Sequence, residues 1–271
     1  MSRILLASVL GSGLGGEAET KMIRDVSEAE YREGDIVLGR GTNVIVSDSG
    51  ACGRVLIMRC EGVRFTESGV VAESGAGMSA MALEACRRGF CGLEWAAGLP
   101  GSVGGAIAGN AGAFGGETGV LVRRVTVLTE RGISDIYGKD LVFSYRGVRG
   151  LPRGVILEAE FALGRGEPRD LLSAARECIR RRRLAQPSGR SAGSTFLACD
   201  GVPAGYYIDR AGLKGMRIGG VHVSEKHANF IMIDDGAAAD DFRRLTDFIK
   251  LRVYSLFGVR LKEEVRYIGR F

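Results

Sequence analysis

Residues 98–116 read GLPGSVGGAIAGNAGAFGG, eight glycines in nineteen positions. A backbone this bare of Cβ atoms lets successive peptide N–H groups turn toward one concave spot and approach an anion closely, which makes the stretch a candidate phosphate cradle. A loop that needs glycine only for tight turns is the plainer alternative. Pro100, Ser102 and Asn110, interleaved as turn-setting or hydrogen-bonding residues, favour the cradle. Neither familiar nucleotide pattern accounts for it. A P-loop requires Gly-Lys-Ser/Thr after its spacer, and that tripeptide occurs nowhere in the chain. Gly11 to Gly16 fits G-x-G-x-x-G, but no secure strand precedes it and no helical stripe follows, so it is weak support for a dinucleotide fold. An anion site of neither kind predicts a different cofactor fold.

Composition frames the search. A chain of 271 residues buries a large core and divides into two or three compact units, and 45% hydrophobic with 25% charged residues describes an ordinary globular protein. The net charge is +5, and residues 180–183 are four consecutive arginines. Nucleic-acid binding calls for a basic stripe interleaved with aromatics, yet aromatics are 7% and none flank the arginines, so an anionic small molecule is the expected partner. Six scattered cysteines without a C-x-x-C pair, and only two histidines, argue against a metal site and for reduced thiols in the cytoplasm. Arg3 and the apolar run ILLASVL reach only the short limit of a signal sequence, and no stretch approaches transmembrane length.

Hydrophobic periodicity supplies the elements. Residues 35–59 alternate strand and turn three times, as DIVLG, NVIVSD and RVLIMR. Met78, Met81, Ala82, Ala85 and Cys86 share one face of a helix that Gly89 stops. A hairpin is expected over residues 124–137 and a strand over 154–163. The Gly/Pro-bearing joint at 164–168 marks a domain boundary. Beyond it, Leu171, Leu172, Ala175, Cys178 and Ile179 form a helical stripe ended by Pro187. A second helix over 238–257 carries Phe242, Leu245, Phe248, Ile249, Val253 and Leu256 on one side, flanked by strands at 229–233 and 260–268.

Three further segments could carry chemistry. SAGSTF (191–196) reads as a loop presenting hydroxyls, with neither a nearby histidine nor G-x-S-x-G to make a hydrolase elbow. Tyr145-Arg146 sits in a glycine-bounded turn, where a guanidinium can grip a carboxylate or phosphate as readily as it can face water. Lys262, Glu264 and Arg266 share one face of the last strand, which implies water or a cleft.

The phrases GRGTN (39–43), GLEWAAGLPGSVGGAIAGNAGAFGGE (92–117), SYR (144–146), SAGSTF, AGLKG (211–215), VSEKHANF (223–230) and EVRYIG (264–269) occur in the order found in UDP-N-acetylenolpyruvoylglucosamine reductases, flavoenzymes of peptidoglycan precursor synthesis. The chain resembles the compact type of that family from about Gly13 to Gly269. The resemblance implies an α+β fold: a two-part FAD-binding module of the PCMH/vanillyl-alcohol-oxidase type (1–52, abbreviated, and 53–165) plus a C-terminal α+β substrate domain (166–271). It implies non-covalent FAD, NADPH as reductant and a UDP-sugar substrate, with no nucleic acid or membrane partner and no indication of oligomeric state. Gly39, Gly41, Thr42 and Asn43 would form one turn around the flavin diphosphate. Pro100, Gly101, Ser102, Gly104, Gly105, Asn110 and Gly112 would form the other. Arg146 and Glu264 would meet the substrate carboxylate, and Ser194 would donate the proton that completes reduction. Where the family usually continues with polar residues after SAGSTF, this chain has Leu197, Ala198, Cys199 and Asp200. Lys214, Lys226 and the arginines near Gln186 are candidate replacement contacts to the diphosphate. A flavin-binding homologue with a drifted substrate and a non-catalytic nucleotide-binding protein remain the alternatives.

Overall fold

The computed structural model describes residues 2–271. Two compact units emerge: a central unit of residues 21–40 and 55–182, and a terminal unit containing residues up to Thr20 together with 41–54 and 183–271.

The central unit is built on a five-stranded antiparallel sheet in the order Gly132–Tyr137, Val122–Thr129, Val155–Ala162, Gly69–Glu73, Val63–Thr66. Its inner strands are rich in Val, Ile and Phe, residues that suit a pleated, buried surface. Val125, Val127, Ala159 and Phe161 face a core shared with helices α1 (Met78–Arg87) and α2 (Val103–Ala108). Val155 and Leu157 instead pack with Ile23, Leu56 and Met58. All five residues of the predicted α1 stripe are buried, and Gly89 ends the helix at φ +75°. Burying a side chain such as Met78 stabilises the fold by about 1.5–3 kcal/mol. The expected hairpin pairs Arg124 with Tyr137 through Thr129 with Gly132.

The glycine-rich stretch is more regular than its composition predicts. Its middle is α2, whose N-cap Ser102 accepts a hydrogen bond from Gly105 N–H at 3.5 Å, and its end is a short hairpin of Gly112–Ala113 with Gly116–Glu117. Low helix propensity is overridden by burial of Val103, Ala106 and Ile107 against the sheet. Helix α3 (Pro168–Ala185) begins on proline, whose missing N–H costs nothing in the first turn, and lays Leu171, Leu172, Ala175 and Ile179 against Cys86 and Ala97.

In the terminal unit a four-stranded antiparallel sheet runs Ser191–Ser194, Phe230–Ile233, Val221–Val223, Arg217–Ile218. Helices α4 (Ala204–Arg210) and α5 (Ala239–Phe257) complete its core. Phe242, Leu245, Ile249 and Val253 of the expected stripe are fully buried. Phe248 and Leu256 are not: they are 37% and 45% exposed, one at the stripe's edge and one in the last turn. The N-terminus of α5 is capped from far away in sequence, Ala239 and Asp240 N–H donating to the two Asp48 carboxylate oxygens at 3.0 and 3.2 Å. The strand expected over 260–268 contracts to Arg266–Ile268, parallel to Val44–Val46, because the preceding residues bridge to Phe196 instead. Two strands that periodicity missed, Ser2–Leu5 and Glu17–Ile23, are paired from Ser2/Thr20 to Leu5/Glu17. The run Gly11 to Gly16 connects them and leads into a strand, which removes the helix that a dinucleotide fingerprint requires.

Candidate active site

The residues expected to hold a cofactor fall on both units. Gly39, Pro100, Gly101, Ser102, Gly104, Gly105, Asn110 and Gly112 belong to the central unit, and Gly41, Thr42 and Asn43 to the terminal one. Within the central unit two expected segments touch. A Cβ on Gly39 would stand 2.0 Å from Ser102 Oγ, so any larger residue there would force the serine hydroxyl to move. The N–H groups of Gly101 and Ser102 donate to no acceptor among the described residues, since the bridge between Gly77 and Ser102 uses the N–H groups of Met78 and Val103. Gly105 is exposed, and an ideal Cβ on it would meet only Ser102 Oγ, at 3.5 Å.

Two cations border this segment. Arg59 Nη1 donates to Gly39 O at 2.8 Å, and Arg40 Nη2 lies 3.2 Å from an ideal Cβ on Gly77 while pairing with Glu61 at 2.8 Å. Burial, reinforced by the Arg40 charge and opposed by Glu61, lowers the Arg59 pKa, yet a guanidinium stays protonated at neutral pH. Unused amide N–H groups beside two guanidiniums fit the diphosphate of FAD. Sequence reasoning named neither arginine. Arg40 lies inside GRGTN and was there to be read. Arg59 reaches Gly39 only because Ile36–Leu38 pairs in parallel with Val55–Met58.

Arg146 occupies the tip of a two-residue turn between strands Val142–Ser144 and Gly147–Arg149. Its φ of +59° is uncommon for a side-chain-bearing residue, and such strain collects at functional positions. The guanidinium carbon lies 5.2 Å from the Tyr145 ring centroid. Below the turn is Asn110, only 2% exposed and itself at φ +40°. Its Oδ1 accepts Gly119 N–H at 2.9 Å, and its Nδ2 donates to Ser144 O at 3.0 Å and Glu117 Oε2 at 3.2 Å.

In the terminal unit, the first four residues of SAGSTF, Ser191–Ser194, form a strand rather than the expected loop. Its pairing with Phe230–Ile233 is interrupted between Ser191 and Ser194, where Gly193 adopts φ +76°. Ser194 is half-buried. The next residues are tightly held: Thr195 N–H donates to Asn229 O at 2.8 Å, and the Asn229 side chain accepts from Phe196 N–H and donates to Phe196 O at 3.0 and 2.9 Å. Glu264 N–H donates to Thr195 O at 2.8 Å, and Asn43 Nδ2 donates to Glu264 O at 3.2 Å. An ideal Cβ on Gly193 would meet Thr42 O at 3.9 Å. Thr42, Asn43, Ser194 and Glu264, far apart in sequence, thus share one neighbourhood.

Other candidates are already engaged. Lys214 pairs with Asp209 at 2.9 Å and Lys226 Nζ donates to Arg183 O at 2.6 Å. His227 Nδ1 accepts Asn229 N–H at 3.2 Å, and burial lowers the imidazole pKa, which keeps the ring neutral and structural. Among the described residues no group of His, Cys, Asp and Glu is arranged to hold a metal ion, and no helix is long and apolar enough to cross a membrane.

Comparison with known proteins matches residues 23–134 to an FAD binding domain and residues 185–268 to the UDP-N-acetylenolpyruvoylglucosamine reductase C-terminal domain. The reductase of Caldicellulosiruptor bescii is 41% identical over 242 residues, covering 87% of this chain and 77% of that protein. That of Gloeobacter violaceus is 39% identical over 86% of this chain and 81% of its own length. The crystal structure of UDP-N-acetylenolpyruvylglucosamine reductase from Thermus caldophilus superposes with a TM-score of 0.86 at 32% identity, covering 99% of this chain and 98% of that one. With the mixed helix and strand content described above, an FAD-binding module followed by a reductase-specific C-terminal domain gives the α+β class expected from the sequence. This chain belongs to the UDP-N-acetylenolpyruvoylglucosamine reductase family.

Proposed function

We propose that Arg146, Ser194 and Glu264 carry out the family's reaction in this chain. That reaction is the NADPH-dependent reduction of the enolpyruvyl group of UDP-N-acetylglucosamine enolpyruvate to the lactyl ether of UDP-N-acetylmuramate, a step of peptidoglycan precursor synthesis. The chemistry supplied by bound FAD is hydride transfer from NADPH to the enolpyruvyl methylene carbon. Addition there leaves negative charge spread into the adjacent carboxylate. The planar fork of Arg146 suits that carboxylate, and Glu264, holding or sharing a proton, donates to it rather than repelling it. Ser194 delivers the proton to the carbon next to the carboxylate. Serine is a weak acid, but the strongly basic carbon beside it makes the transfer favourable.

The observation that carries this reading is the bond from Glu264 N–H to Thr195 O at 2.8 Å, which sets the serine segment and the segment bearing the glutamate side by side. Gly39, Gly41, Thr42, Asn43, Pro100, Gly101, Ser102, Gly104, Gly105 and Gly112 are assigned to the cofactor, with the chain divided at 1–52, 53–165 and 166–271. Small molecules are its partners, without nucleic acid or membrane: Arg180 is paired with Glu177 at 2.6 Å, and Arg181 and Arg182 lie 4.8 and 5.4 Å from the Phe114 ring centroid. Free thiols at all six cysteines support a cytoplasmic enzyme.

The S194A variant tests the chemistry. It should purify yellow and bleach normally with NADPH, while return of colour on adding the enolpyruvyl nucleotide slows by about 10²–10⁴. Unchanged turnover would remove Ser194 from the mechanism. Leu197, Ala198 and Cys199, replacing the polar residues usual in the family, favour a second reading in which the flavin site is kept and the substrate differs. Failure of the parent protein to regain colour with this nucleotide would select it.

A further inference from the structure

We propose that Asn110 is a positioning residue for Arg146 rather than a contact to the flavin. The inference rests on the catalytic assignment of Arg146 made above. The hairpin that carries Arg146 has only three residues in each strand and pairs with no other strand among the described residues. Its outer residues Val142 and Tyr145 are 52% and 62% exposed. Apolar anchorage comes from Leu141 and from the partly buried Phe143 and Val148. Such contacts hold a hairpin to the core without setting its tip to a fraction of an ångström.

Asn110 supplies the directional constraint. Its amide nitrogen donates to Ser144 O, the carbonyl two residues before Arg146, while the same nitrogen reaches Glu117 and the amide oxygen accepts from Gly119 N–H. Both donors and one oxygen lone pair are therefore committed to protein at 2% exposure, which leaves little of the group to meet a ligand. The left-handed backbone of Asn110, which asparagine tolerates better than most residues, aims the side chain at these three partners. Gly119 reinforces the arrangement, since a Cβ on it would stand 2.3 Å from the Phe143 ring. The chain thus runs from a helix end through one amide to the turn that holds Arg146 in its strained conformation. A displacement of about 1 Å at a group that orients substrate can cost on the order of 10²-fold in rate.

The test is a double-mutant cycle on the full-length flavoprotein. N110D preserves shape and the bond from Gly119, but sets an acceptor against Ser144 O and Glu117. We expect N110D to purify with its full complement of flavin and to be reduced by NADPH within about threefold of the parent rate. Reoxidation by the enolpyruvyl nucleotide should slow by about 10–100-fold, with KM changed less than kcat. On an R146A background the same substitution should cost less than about twofold, because the residue it positions is gone. N110G, which keeps the left-handed backbone accessible, gives the same cycle if N110D folds poorly. Loss of flavin from N110D or N110G, with flavin retained in R146A, would mean a cofactor contact and overturn the proposal. So would a full, independent cost on the R146A background. R146A with unchanged turnover would instead sink the role of Arg146, and the proposal with it.

Discussion

At the scale of single residues, the sequence marks which side chains could carry chemistry but not which other side chains they touch. Gly39 is an example: it packs against Ser102 Oγ, which lies 2.0 Å from where a Cβ would be. G39A should therefore lose about 1–3 kcal/mol of stability through overpacking and bind flavin less well. Replacing the obstructing serine, in G39A/S102G, should recover most of the flavin content. Urea unfolding and the visible spectrum read both effects, and a G39A protein as stable and as yellow as its parent would refute the contact. The asparagines make the same point. Asn43 and Asn110, expected to meet the cofactor, donate to the main-chain carbonyls of Glu264 and Ser144, and Asn229 fastens the Phe196 peptide in the same manner. No local pattern distinguishes an amide that meets a ligand from one that holds the backbone.

At the scale of elements, periodicity found those that bury one face. Helices α1, α3 and α5, the three strands of residues 35–59 and the hairpin at 124–137 were legible because apolar residues repeat at the spacing of the element. Helices α2 and α4 were not, being short, with their stability supplied by tertiary burial rather than by a stripe. The last strand was too long as read, because alternation continues after pairing has moved elsewhere. That strand carries a testable titration. The Tyr267 hydroxyl lies 3.0 Å from Thr246 Oγ1 on α5, and burial pushes its pKa from 10.0 up to about 12. The folded state keeps this proton more tightly than the unfolded state does, so the associated stability is full below about pH 10 and declines as pH rises toward 12. Y267F should show a shallower loss of unfolding free energy than the parent between pH 9 and 11, measured by urea titration. Identical slopes would place the hydroxyl in water.

At the scale of the whole molecule, composition was informative about partners. A net charge of +5, with no aromatic stripe beside the arginine run, suits small anions drawn in by a long-range field. Raising ionic strength from about 20 to 200 mM should increase KM for both NADPH and the UDP-sugar while leaving kcat nearly constant, because screening weakens encounter and not the chemistry at contact. A fall in kcat with constant KM would locate the charge effect in the reacting groups. By itself the sequence determined the family, the α+β class, the cofactors and most of the longer elements, since ordered motifs and periodic burial are written locally along the chain. Only the tertiary structure decided that Thr42, Asn43, Ser194 and Glu264 share one neighbourhood, that Gly39 rests on Ser102, and that the amide of Asn110 bonds the carbonyl of Ser144. The physical reason is range. Hydrogen bonds and close packing act over a few ångströms between residues as distant in sequence as Asn43 and Glu264, and such contacts exist only once the strands have paired.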